Sequence, residues 1–162
     1  MYKKKKVSSL VSLVLAFWFL FCGTLNAADS AKQVDGSWLT EQESATGYSQ
    51  NSLERGIHLM EGQSTVTKTG KGRIYAYAST TANHVVNYVA VVIHVEQYEE
   101  ESGDWVHVDG WVAEGEDTYY VSTGKTLNVD GGYYYRVTAS HYAGNENPYE
   151  ETVSFTDGIW ID

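Results

Sequence analysis

Five histidines and two acidic runs are the residues of this chain whose types could hold a metal. The histidines are His58, His84, His94, His107 and His141. Zinc takes three or four nitrogen or oxygen ligands at about 2 Å. No two of these histidines form an H-x-H pair or stand at i, i+4 on an expected helix. They are read as scattered surface side chains. Glu99 to Glu101 and Glu114 to Asp117 offer the oxygen ligands that calcium prefers. Neither run has a spaced D-x-D-x-D-G pattern. They are read as solvated turns that also protect sheet edges. No metal and no cofactor is expected.

Catalytic patterns carry no more. A glycosidase needs two carboxylates at a defined separation, and 21 acidic residues make some pair inevitable by chance. A serine hydrolase needs its nucleophile on an elbow, and no G-x-S-x-G occurs. The expectation is a protein that is not an enzyme.

The aromatic residues are more informative. There are 13 Tyr, 5 Trp and 4 Phe. Trp105, His107, Asp109 and Trp111 alternate, so they share one face if the strand runs without a bulge at Gly110. Tyr134 and Tyr142 lie on the face of their strand opposite its core positions. Coplanar rings with polar tips suit a sugar or a protein partner. Trp105, Trp111 and Tyr134 are therefore the candidate ligand-binding residues. Packing of these rings along one side of a sandwich is the competing account.

The elements that must position them are strands. Ile57, Leu59 and Met60 start a short one, and Ser64 to Thr67 is a second. Ile74, Ala76 and Ala78 alternate with Tyr75 and Tyr77. Val85 to Tyr98 is apolar on both faces in part, which suits a central strand. Trp105 to Val112, Tyr119 to Val121, Lys125 to Val129, Tyr133 to Tyr142 and Glu151 to Phe155 follow, separated by turn signals. No 3.6-residue period appears. The expected fold is all-β, an immunoglobulin-like antiparallel β-sandwich of about seven or eight strands.

Before that domain the composition changes twice. Lys3 to Lys6, the apolar run Val7 to Leu25 and the small residues Asn26, Ala27 and Ala28 have the order of a secretory signal peptide. Residues 1–27 are assigned to it. Residues 28–55 are polar and read as a flexible leader, with Trp38 and Leu39 available for an edge contact. Residues 56–162 form the β-sandwich domain. Cleavage removes four of the 11 basic residues and the single cysteine, Cys22, and leaves 7 basic against 21 acidic groups. Such a surface repels nucleic acid and anionic membranes. No nucleic-acid partner and no membrane insertion after cleavage are expected.

Leu127-Asn128-Val129-Asp130-Gly131-Gly132-Tyr133-Tyr134-Tyr135-Arg136-Val137-Thr138-Ala139 resembles the late-strand signature of fibronectin type III domains. The resemblance implies that Tyr133 is the tyrosine-corner residue and that Tyr135, Val137 and Ala139 face the core. Val129 stands where that family usually has Pro, and no Trp sits near Ile74. Asp35-Gly36-Ser37, Gly70-Lys71-Gly72, Ser79 to Asn83, Gly132 to Val137 and Phe155 to Ile161 together resemble a family of small secreted proteins from Gram-positive, clostridia-like bacteria. That family supplies no activity. The functional expectation is a secreted or wall-associated binding module for an extracellular glycan or protein. A self-associating surface protein is the alternative, and an enzyme a remote one.

Overall fold

The computed structural model describes residues 32–49 and 56–162. The expected signal peptide lies outside the described residues, as do 28–31 and 50–55 of the expected leader. The rest is all-β, with nine strands and no helix among the described residues: β1 (Gln33–Val34), β2 (Ser37–Thr40), β3 (Ser44–Tyr48), β4 (Leu59–Gly70), β5 (Arg73–Glu99), β6 (Asp104–Asn128), β7 (Tyr133–Gly144), β8 (Glu150–Phe155) and β9 (Gly158–Ile161).

Part of the segment expected as a flexible leader is ordered sheet. Val34 pairs with Ser37 across a two-residue turn. Asp35 and Gly36 hold φ of 48° and 82° there, the positive values that an Asp-Gly hairpin turn requires. β3 pairs antiparallel with β4 from Ser44↔Thr67 to Tyr48↔Gln63. Ser37 and Ala45 are buried.

β5 and β6 decide the architecture. Several short strands are expected in each region, but each is one continuous strand that bends. The bend in β5 falls at the register shift between Thr81 and Val86. It is sharp enough for the Thr80 hydroxyl to donate to the Ala90 carbonyl of the same strand at 2.8 Å. In β6 it falls near Asp117, whose φ is 48°. The acids at 114–117 are thus part of a bent strand and not of a free turn. β4 pairs with the first half of β5 and β7 with the second half, on the same edge. Bending β5 therefore brings β4 against β7 and β8.

The result is one curled sheet, a half-barrel, in the order β1-β2-β9-β7-β5-β4-β3, with β6 along β5 and β8 along β7. It is mixed and not purely antiparallel, because β2 runs parallel to β9. Inside the curl lie Ile74, Ala76, Ala78, Val89, Val91, Ile93, Val95, Tyr135, Val137 and Ala139. Their period-2 spacing on strands curled around one interior makes this a single core.

Candidate functional site

The three expected site residues do not share a surface. Val95 pairs with Asp109 and Glu96 with His107, so Val108 is an extra residue on β6. One inserted residue reverses the alternation beyond it. Trp111 stands opposite Ile93 and Trp105 opposite Tyr98. Positions 93 and 98 of β5 point to opposite faces. The two tryptophans are therefore on opposite faces, and the expected Trp105–His107–Asp109–Trp111 row is broken at Val108.

Each tryptophan is occupied by packing. Trp105 lies beneath the β1–β2 hairpin. Its Nε1 donates to the Val34 carbonyl at 3.3 Å. The Arg136 guanidinium sits 4.4 Å from its ring centre, and the Tyr98 ring is 5.5 Å away. Arg136 is itself buried. It is held by Glu96 at 2.7 Å and by Asp35 at 2.9 Å, and it donates to Ser37 Oγ at 3.1 Å. Trp111 packs against the core on the inner face. Its Nε1 donates to Thr123 Oγ1 at 3.1 Å. Lys125 lies 5.1 Å from its ring centre and pairs with Asp109 at 2.7 Å. The Lys125 hydrogen bond, joined by the Gly110 amide, holds the Asp109 carboxyl below the usual carboxylate range.

Tyr134 is placed differently. It points outward and its ring meets Trp160 edge-on, with centroids 5.0 Å apart. Its hydroxyl donates to Glu41 at 3.2 Å. Beside it opens a pocket of about 150 Å³, lined by Tyr98, Tyr133, Tyr134, Trp160, Gly132 and Glu99 to Glu101. Three chain segments meet there: the β5–β6 turn, the β6–β7 turn and β9. Gly103, with φ of 78°, closes the first turn by donating its amide to Glu99 O at 2.8 Å. Gly132, with φ of 90°, ties the second to β9 by donating its amide to Ile161 O at 2.7 Å. Both glycines occupy the left-handed region that other residues avoid. The pocket joins apolar ring faces to three carboxylates, which suits a ligand with both an apolar face and donors or positive charge.

Trp160 and the role of Glu99 to Glu101 in a pocket were missed from the sequence. The alternation Ile159-Trp160-Ile161 was the available signal, because it marks a strand with its Trp turned away from the two isoleucines. Tyr133 is also not the residue whose hydroxyl bonds back along the chain. That contact belongs to Tyr135, 2.9 Å from the Asp130 carbonyl and 2.7 Å from Gln97 Oε1. Burial, with the Asp130 charge second, pushes the Tyr135 hydroxyl up to about 12.

The histidines correct the expectation of scattered surface side chains. His141 is fully buried. Its Nδ1 is 2.9 Å from Thr80 Oγ1 and its Nε2 is 2.7 Å from Ser154 Oγ. Thr80 spends its proton on Ala90 O, so Nδ1 carries the ring proton and Ser154 donates to Nε2. A hydroxyl on imidazole is the arrangement of an activated nucleophile, but Ser154 is 1% exposed and His141 0%. Here the pair satisfies polar groups inside the core. The other four meet in pairs: His58, just before β4, with His84 at 3.2 Å between Nδ1 and Nε2, and His94 with His107 across β5 and β6 at 5.5 Å between ring centres. Among the described residues no three or more His, Cys, Asp or Glu side chains converge as a metal site. Compared with known proteins, the chain matches no family model, no curated protein and no solved structure.

Proposed function

We propose that this chain is a secreted, non-catalytic binding module that takes an extracellular glycan in the Tyr133–Tyr134–Trp160 pocket. The observation that carries this is the edge-on Tyr134–Trp160 pair at 5.0 Å beside an open pocket whose other wall is Glu99 to Glu101. A sugar ring has an apolar face for the aromatics and hydroxyl donors for the carboxylates. An extended protein segment with a basic side chain is the other ligand of matching chemistry. The immunoglobulin-like kinship of β7 belongs to the same proposal. Its support is the Tyr135–Asp130 contact, the back-bond of a tyrosine corner.

The test is retention of the purified chain on insoluble glycans and isolated bacterial cell wall. Trp160→Ala and Tyr133→Ala should lose retention, while Trp111→Ala, on the inner face, should keep it if folded. Retention unchanged in Trp160→Ala would remove the pocket from the reading.

Self-association is the second reading, and the open edge of β6 favours it. Among the described residues β6 pairs only with β5, and Val106, Val108, Val112, Tyr119 and Tyr120 are exposed along it. Asp104, Asp109, Glu114, Glu116 and Asp117 on the same strand oppose pairing with a copy of itself. Light scattering across a concentration series decides it, since a constant mass excludes edge pairing.

A further inference from the structure

We infer that His58 and His84 form a two-histidine site for a divalent transition metal, with zinc, nickel and copper the fitting ions. His58 Nδ1 and His84 Nε2 stand 3.2 Å apart. Two nitrogens at that separation, each about 2.0–2.1 Å from one ion, subtend about 100° at it, near the ~109° of tetrahedral zinc. The rings meet edge-on at 63° with centroids 5.2 Å apart and do not stack; the two nitrogens share a hydrogen bond, whose proton a bound ion would replace.

The backbone on both sides is held in place. His58 donates its amide to Glu150 Oε2 at 2.9 Å. The same carboxylate takes the amides of Ile57 and Leu59 at 2.7 Å each. The His58 carbonyl accepts the Asn83 amide at 2.7 Å, and His84 is the next residue. Asn83 also donates its side-chain amide to Ile57 O at 3.1 Å. His58 therefore starts from clamped backbone and His84 directly follows a clamped residue, which lowers the ordering cost of chelation. His84 further sits in the irregular stretch between Thr81 and Val86, where β5 loses its register with β6. Bulged segments of this kind re-aim side chains and recur beside functional sites. Glu150, spent on three amides, adds negative charge nearby, and His84 is exposed. Water completes the coordination, so the site exchanges metal and is not a closed structural centre.

The experiment is calorimetric titration of the purified full-length chain with zinc, then nickel, then copper. One ion per chain is expected. His58→Ala and His84→Ala should each weaken binding on the order of tenfold or more, because each removes one of two protein ligands. His94→Ala, at the other histidine pair, should leave the affinity unchanged. His84→Asn, checked for an unchanged thermal midpoint without metal, keeps the test valid if an alanine variant folds poorly. No heat with any of the three ions, or undiminished binding in folded His84→Asn, overturns the inference.

Discussion

Gly62 lies flat against the ring of His141, so close that a Cβ on Gly62 would stand 2.2 Å from the histidine Cδ2 and 2.4 Å from Cγ. The ring cannot retreat, because Thr80 and Ser154 hold its two nitrogens from either end. β4 and β7 approach across the curl at this point, and the missing side chain is what lets them.

Gly62→Ala should therefore destabilise the domain by about 2–3 kcal/mol, the scale of overpacking a filled core. Urea unfolding read by tryptophan fluorescence measures it. A midpoint equal to the parent's would mean that the two strands separate more easily than this packing implies.

Acid should destabilise the protein over two pH ranges, with His141 responsible for the first. Burial, partly opposed by the Ser79 carbonyl, lowers its pKa from 6.5 to about 4. Between those values the unfolded chain binds a proton that the folded chain does not. Stability is thus fully present above pH 6.5 and falls with pH by up to about 1.4 kcal/mol per unit, until about pH 4. Below that the depressed carboxylates take over. Burial pulls Glu150 upward, but the amides of Leu59, His58 and Ile57 outweigh it. Lys68 does the same for Asp162 through its hydrogen bond. Urea midpoints at pH 7, 5.5 and 4.5 should show the loss over the first range in the parent but not in His141→Gln. An equal slope in both proteins would assign the acid sensitivity to other groups.

Deleting Val108 should cost more than any single truncation on β6. Without the bulge, one side of β6 must turn over. Either Trp105 leaves Arg136, Tyr98 and Gly158, against which its ring is wedged 2.7 Å from a would-be Cβ, or Trp111 leaves the core. Trp105→Ala removes only the first of these packings, at about 2–4 kcal/mol for a half-buried Trp. Thermal melts of the two variants should rank the deletion below the substitution. The reverse order would show that β6 can slip its register at low cost.

Much of the strand content was legible from residue order alone. Alternation put Ile74, Ala76 and Ala78 on one face, and the fibronectin type III resemblance implied that Tyr135, Val137 and Ala139 face the core; all six are buried, because burial on one face leaves a period-2 trace. The turns at Lys71-Gly72, Glu100 to Gly103 and Gly131-Gly132 were equally legible. The Asp35-Gly36 hairpin carried its own signal, but the polar residues around it outweighed that signal.

What composition and spacing determined by themselves is an all-β chain, rich in acid and aromatic side chains, with the two faces of strands such as Arg73 to Ala78 told apart by alternation. These properties are local, set by side-chain type and the two-residue repeat. The tertiary structure alone decided how β5 and β6 bend, that Val108 is an inserted residue, and that Trp105 and Trp111 face apart. It also decided that His141 is sealed in the core while His58 meets His84 and Tyr134 meets Trp160. Each depends on pairing between segments far apart in sequence. A one-residue shift in such pairing turns every later side chain to the other face, and nothing in the strand itself records it.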